Sequence, residues 1–119
     1  MLPEAPRGPD GFAATVAAAD LEDGEMEPFE VDGRKIVLAR VGSSTYAFDE
    51  NCTHKRCSLL EGEIEEDLVS CPCHGAEFDP VTGEVFVGPA TIPLPVHETR
   101  IVAGMLMVRL SSTPPIVGL

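Results

Sequence analysis

Apolar positions in this chain come in short runs of branched residues, each broken by Gly, Pro, Asp or Ser. The run from Arg34 to Val41 is rich in Ile, Val and Leu and predicts a strand. Met26 to Val31 predicts another, and Pro28 within it has no N–H to give to a ladder, which implies an edge position. Asp32-Gly33 between them predicts a two-residue hairpin turn, because a type I′ turn needs positive φ at both central residues. Gly42-Ser43-Ser44 reads as the next turn and Thr45 to Phe48 as the next strand, so a three-stranded meander delivers the chain to Cys52.

The remaining stretches follow the same rhythm. Phe12 to Ala19 is small and apolar and fits a strand or a helix equally, and Asp20 to Glu25 reads as a turn ending at Gly24. The acid-rich centre of residues 59–70 reads as a solvated hairpin turn, with Leu68 and Val69 starting the strand that presents Cys71. Glu77-Phe78-Asp79, a turn at Pro80 to Gly83, and Glu84 to Val87 come next. Thr91 to Leu110 then predicts two strands around Ala103-Gly104. Residues 1–11 and 111–119 carry Pro and Gly without a period and read as loose ends, around what is otherwise one domain.

Composition narrows the fold class. Eleven Gly and eleven Pro in 119 residues favour short strands and tight turns over long helices, so the expected class is all-β. Aromatics make up only 5%, which leaves Val, Ile, Leu and Ala to build the core. A formal charge of −12 opposes binding to a phosphate backbone and favours a protein partner with a basic docking face. Neither a basic-then-apolar leader nor an apolar run of about 20 residues is visible, so the expectation is a soluble, cytoplasmic protein.

The chemistry lies between Cys52 and His74. Cys52-Thr53-His54 is answered, after sixteen intervening residues, by Cys71-Pro72-Cys73-His74-Gly75. In an extended loop, residues i and i+2 point the same way but sit roughly 6 to 7 Å apart, a span that suits two neighbouring metal atoms better than one. A structural zinc ion of two Cys and two His is the rival, but its near ligands are usually two to four residues apart. The inference is that each loop gives one ligand to each of two irons, Cys52 and Cys71 to one and His54 and His74 to the other.

At these residues the chain resembles the Rieske [2Fe-2S] family, and the likeness extends through Phe78-Asp79 and Thr82-Gly83-Glu84 to Gly88-Pro89-Ala90. The resemblance implies a Rieske-like fold of antiparallel sheets, with a cluster-binding subdomain at about residues 49–90 formed by two hairpin loops. It implies one [2Fe-2S] cluster, with Gly75, Ala76, Phe78 and Pro89 in its surroundings and the two His nearest solvent. Cys57 and Cys73 match positions that carry a disulfide in some members, two buried thiols being the alternative. Ala76 and Phe78 stand where the high-potential branch carries Ser and Tyr, whose hydroxyls donate to cluster sulfur. A potential in the lower part of the Rieske range follows, nearer about −150 mV than +300 mV.

As a function, the resemblance implies a monomeric ferredoxin without catalytic residues, carrying electrons from an NAD(P)H-dependent flavin reductase to a terminal aromatic-ring-hydroxylating oxygenase. Lys55 and Arg56 beside His54 are candidates for docking. A small subunit of an oxidoreductase complex, of nitrite-reductase or arsenite-oxidase type, and a zinc-stabilised interaction module are the alternatives. His97 reads as a surface strand residue, with no Cys near it in sequence.

Overall fold

The computed structural model describes residues 3–53, 57–73, 75–88, 90 and 92–112. Its strands are β1 (Glu4–Ala5), β2 (Phe12–Ala17), β3 (Met26–Val31), β4 (Arg34–Val41), β5 (Ser44–Asp49), β6 (Glu63–Glu65), β7 (Leu68–Ser70), β8 (Glu77–Phe78), β9 (Val85–Val87), β10 (Val96–Val102) and β11 (Met105–Arg109). Seven of them form one sheet in the order β1-β3-β4-β5-β10-β11-β2, whose outermost strands β1 and β2 come into contact, so the sheet curls almost shut. The other four, β6-β7-β8-β9, form a small antiparallel sheet laid against it. No helix among the described residues is long and apolar enough to cross a membrane.

The turns show why the chain folds this way. Asp32 and Gly33 have φ of 48° and 83°, the paired positive values of a type I′ hairpin, and they join β3 to β4 in the expected register. Ala103 and Gly104 do the same between β10 and β11. In β3 the Glu30 N–H donates outward to Pro3 of the β1 segment, so two residues earlier the nitrogen of Pro28 faces the same side. Among the described residues β1 covers β3 only at Glu30 and Val31, so Pro28 lies outside that pairing.

Strand β4 explains the two cores. Ile36 and Leu38 point into the curled sheet, with Leu21, Phe29, Val31, Leu106 and Val108. Val37 and Ala39 point the other way, against Phe48, Leu59, Val69, Phe78 and Leu94 beneath the small sheet. A strand buried on both faces needs an unbroken apolar run, and residues 36–39 supply it. Fully burying each of Phe48 and Phe78 is worth about 2 to 3 kcal/mol, so the second core is a substantial attachment for the small sheet.

One open point of the sequence reading is settled, and the structure differs from it at two others. Residues 12–17 are strand, followed by a short 3-10 turn at Ala18–Asp20. The lead-in is partly structured, since Glu4 and Ala5 pair in parallel with Glu30 and Val31. The acid-rich stretch contains strand β6 as well as its turn, and Glu66 and Asp67 take positive φ of 50° and 65° to make that turn without glycine.

Candidate metal centre

Two loops of equal size open at one end of the small sheet. The first is closed at its base by the Asn51–Ser58 bridge, and there Cys52 N–H donates to the Cys57 carbonyl at 2.8 Å. The second is the β7–β8 connection, where Cys71 N–H donates to the Ala76 carbonyl at 2.7 Å. In both loops the leading Cys bonds to the residue five positions on, so Cys52 and Cys71 occupy equivalent places. Gly75 has φ of 78° and donates to the Cys71 carbonyl, which lets the second loop turn back within that length.

Both leading cysteines are buried, 1% and 4% exposed, in the core beneath the small sheet together with Leu59, Ala76, Phe78, Ala90 and Leu94. Cys57 and Cys73 are joined as a disulfide across the loops, with Cα atoms 6.4 Å apart. The sulfurs of Cys57, Cys71 and Cys73 lie within 4.8 Å of one another. Two of the three are bonded together and offer no thiolate, so that trio is the strap beside Cys71 rather than a ligand set of its own. Two buried thiols at matched positions, each followed closely by a His in the sequence, fit a centre that takes one sulfur and one nitrogen from each loop.

A third segment covers the pair. Thr53, 3% exposed, donates its hydroxyl to the Ile92 carbonyl at 2.6 Å and so ties the covering segment to the first loop. Leu94 N–H donates to the Gly83 carbonyl at 2.8 Å and ties it to the β8–β9 turn. Of the residues anticipated from sequence, Cys52, Cys57, Cys71, Cys73, Gly75, Ala76 and Phe78 are brought together here. His54, Lys55, Arg56, His74 and Pro89 lie outside the described residues.

The family description that matches this chain is the Rieske [2Fe-2S] domain, over residues 12–98. The chain belongs to the Rieske family. Its cofactor is accordingly a [2Fe-2S] cluster, which displaces the zinc alternative. This Rieske chain is 36% identical over 93 residues to "Ferredoxin CarAc" of Metapseudomonas resinovorans, covering 77% of this chain and 87% of that protein. It is 33% identical over 99 residues to the "3-phenylpropionate/cinnamic acid dioxygenase ferredoxin subunit" of Escherichia coli K12, covering 82% and 92% of the two chains. Among solved structures it resembles a chain in the "Complex of reduced oxygenase and oxidized ferredoxin in carbazole 1,9a-dioxygenase", with TM-score 0.80, 31% identity, and coverage of 87% of this chain and 98% of that one. The ferredoxin of carbazole 1,9a-dioxygenase from Nocardioides aromaticivorans IC177 gives TM-score 0.76 at 26% identity, with coverage of 82% and 95%.

Below the loops the Rieske chain holds a buried polar group that the sequence reading missed. His97 is not a surface residue; its side chain is fully buried. Ser111 N–H donates to its Nδ1 at 2.9 Å, so the ring proton sits on Nε2, which lies 2.9 Å from Asp49 Oδ1. Arg34 completes the group with a two-pronged contact to Asp49, at 2.8 and 2.9 Å. Burial pushes the Asp49 carboxyl upward, but the hydrogen bonds from His97 and Arg34, with the charge of the Arg34 guanidinium, outweigh it and hold it below the usual aspartate range. The group fixes the end of β5, three residues before Cys52, and also pins Ser111, at the start of the tail read as loose.

Charge is divided unevenly. Among the described residues, ion pairs join Arg7 to Asp32, Arg34 to Asp49, Arg100 to Asp10 and Arg109 to Glu98, all in the large sheet or its flanks. None of these pairs involves the small sheet. On it, the hydrogen bond and charge of Glu63, with smaller effects from burial, Glu77 and Glu66, push the Glu65 carboxyl above the usual glutamate range.

Proposed function

We propose that this protein is the electron carrier of a multicomponent oxygenase, taking single electrons from an NAD(P)H-dependent flavin reductase and delivering them to a terminal aromatic-ring-hydroxylating oxygenase in the cytoplasm. Cys52 and Cys71 hold one iron of the cluster, and His54 and His74 the other. When bound, the cluster supplies one-electron chemistry, with two imidazoles in place of two thiolates making reduction easier. The observation that carries this reading is the pair of matched loops, in a chain that spans most of two relatives named as ferredoxins.

The chain's own residues would do the rest. The disulfide and the Thr53–Ile92 bond hold the three loops together, and the apolar shell of Leu59, Phe78, Ala90 and Leu94 keeps water from the two thiolates. Ala76 and Phe78 are fully buried and bring no hydroxyl toward cluster sulfur, which favours a potential in the lower part of the Rieske range. Lys55 and Arg56 are the only cations between Arg40 and Arg100, and they adjoin His54 in sequence, which supports a docking role for them at the ligand end. The relatives are named as ferredoxins and as a dioxygenase ferredoxin subunit, which supports a carrier rather than an enzyme. Reconstitution tests the reading: NAD(P)H-driven turnover of the oxygenase should require this protein, and full turnover without it would sink the proposal.

A further inference from the structure

A second concave surface lies on the flank of the small sheet, away from the ligand loops. The turn after β4 and the start of β5 face the tips of the β6–β7 and β8–β9 hairpins across an open cleft of about 640 Å³. Its walls include Tyr46, Leu68, Val81 and Phe86. Val81 and Phe86 are 57% and 56% exposed, among the most exposed large apolar side chains of the described residues. Phe86 stands out because the ladder between β8 and β9 shifts register there, pairing Glu77 with Val87 and Phe78 with Val85 and leaving Phe86 unmatched. A bulge that turns an aromatic ring toward solvent loses burial that folding alone would favour.

The rim has one sign of charge. Glu66, Asp67 and Asp79 are the charged residues among those lining the cleft; the neighbouring cation, Arg40, is turned to the backbone behind it, donating to the carbonyls of Gly42 and Leu21. Carboxylates beside an exposed Phe and a Tyr match one side chain better than any other. Arginine lays a flat, weakly hydrated cation on an aromatic face while its fork meets a carboxylate. A bare metal ion would leave the apolar walls uncovered, and a second copy of this chain would bring another strongly acidic surface.

We propose that this cleft receives an arginine side chain from the docking face of a redox partner protein, its stem against Val81 and Phe86 and its guanidinium beside Glu66 and Asp67. The identity of the partner as a redox protein rests on the electron-carrier reading; the chemistry of the cleft does not. Along β7, Leu68 in the cleft is three residues from Cys71, roughly 10 Å. An ordinary interface of about 800 Å² per partner covers both. The cleft then fixes orientation at the flank while the ligand loops face the electron's destination.

Two measurements on the cluster-loaded protein test this. In the first, Nα-acetyl-arginine amide is titrated and followed by amide NMR, with the neutral citrulline analogue as control. Saturable shifts at Asp67, Leu68 and Phe86, several-fold weaker for citrulline and weakened about threefold by Glu66→Gln with Asp67→Asn, support the proposal. Equal response to both probes, or shifts confined to other surfaces, overturns it whatever the protein's role. In the second, Phe86→Ala should raise the ferredoxin concentration giving half-maximal oxygenase turnover about tenfold while the visible spectrum and potential stay unchanged. An unchanged half-saturation in both the reductase and the oxygenase steps overturns the proposal. Failure of the unsubstituted protein to support turnover counts against the electron-carrier reading instead, and the arginine titration then decides the cleft.

Discussion

Replacing Gly83 by Ala should loosen the covering segment over the ligand loops, and the size of the effect can be worked out. Gly83 has φ of +80°, where a Cβ costs about 1 kcal/mol or more. A Cβ there would also stand 1.9 Å from the Leu94 carbonyl oxygen and 3.0 Å from its carbon, both backbone atoms. Relief requires Leu94 to move by more than an ångström, which breaks the 2.8 Å bond from its N–H to Gly83 and worth about 1 kcal/mol. It also lifts a side chain only 2% exposed out of the core, adding about another 1 to 2 kcal/mol. The expected loss is about 3 to 4 kcal/mol, or a fall in Tm of roughly 12 to 16 °C for a chain of this size.

Gly33→Ala is the matched control. Gly33 has nearly the same φ, +83°, with nothing within 4 Å of the added Cβ, so only the backbone term of about 1 kcal/mol applies. Urea unfolding of both cluster-loaded variants, followed by circular dichroism and by visible absorbance, separates the two effects. Equal destabilisation of the two variants would refute the claim that the Gly83–Leu94 approach holds the cover in place.

Further consequences can be checked alongside. Cys57→Ser with Cys73→Ser removes a link spanning 16 residues and should cost about 3 kcal/mol and speed iron loss to a chelator; unchanged urea midpoint and release rate would contradict the strap. Asp49→Asn leaves the largely buried Arg34 without its carboxylate and should cost about 3 kcal/mol. Because the folded Asp49 carboxyl is held below its unfolded value of about 3.9, its contribution is present above that pH and lost as pH falls through the lower folded value. The variant's deficit should therefore shrink only in acid, and a deficit that shrinks near neutrality would point to another group. Ala76→Ser and Phe78→Tyr should each raise the reduction potential, by about 60 mV if each new hydroxyl favours the reduced form by about 1.4 kcal/mol. Voltammetry showing no rise would mean that neither hydroxyl reaches the cluster.

How much of this was legible in the sequence depended on whether the signal was local. The Asp32-Gly33 and Ala103-Gly104 turns and the run at residues 36–39 each carry their own cause, and the strands follow from them. Strand β6 was not legible because Glu63-Ile64-Glu65 has a single apolar residue and its pairing partner supplies the rest. β1 was missed for a related reason: it is two residues long and pairs with residues far along the chain. His97 was misjudged because Asp49 lies 48 residues away and nothing beside His97 announces a buried partner. At the centre itself, the Cys and His spacing carried the chemistry. The equal closure of both loops, the Thr53–Ile92 bond and the Gly83–Leu94 contact are properties of packing that no short stretch encodes.

The central claim is that the two matched loops give one sulfur to one iron each time and one imidazole to the other. Electron-nuclear double resonance on the reduced protein, with selectively ¹⁵N-labelled histidine, tests it most directly. Two histidine nitrogens strongly coupled to one iron, lost one at a time in His54→Cys and His74→Cys, is the predicted result. A reduced centre with no histidine coupling, or purified protein carrying stoichiometric zinc and no acid-labile sulfide, would contradict it.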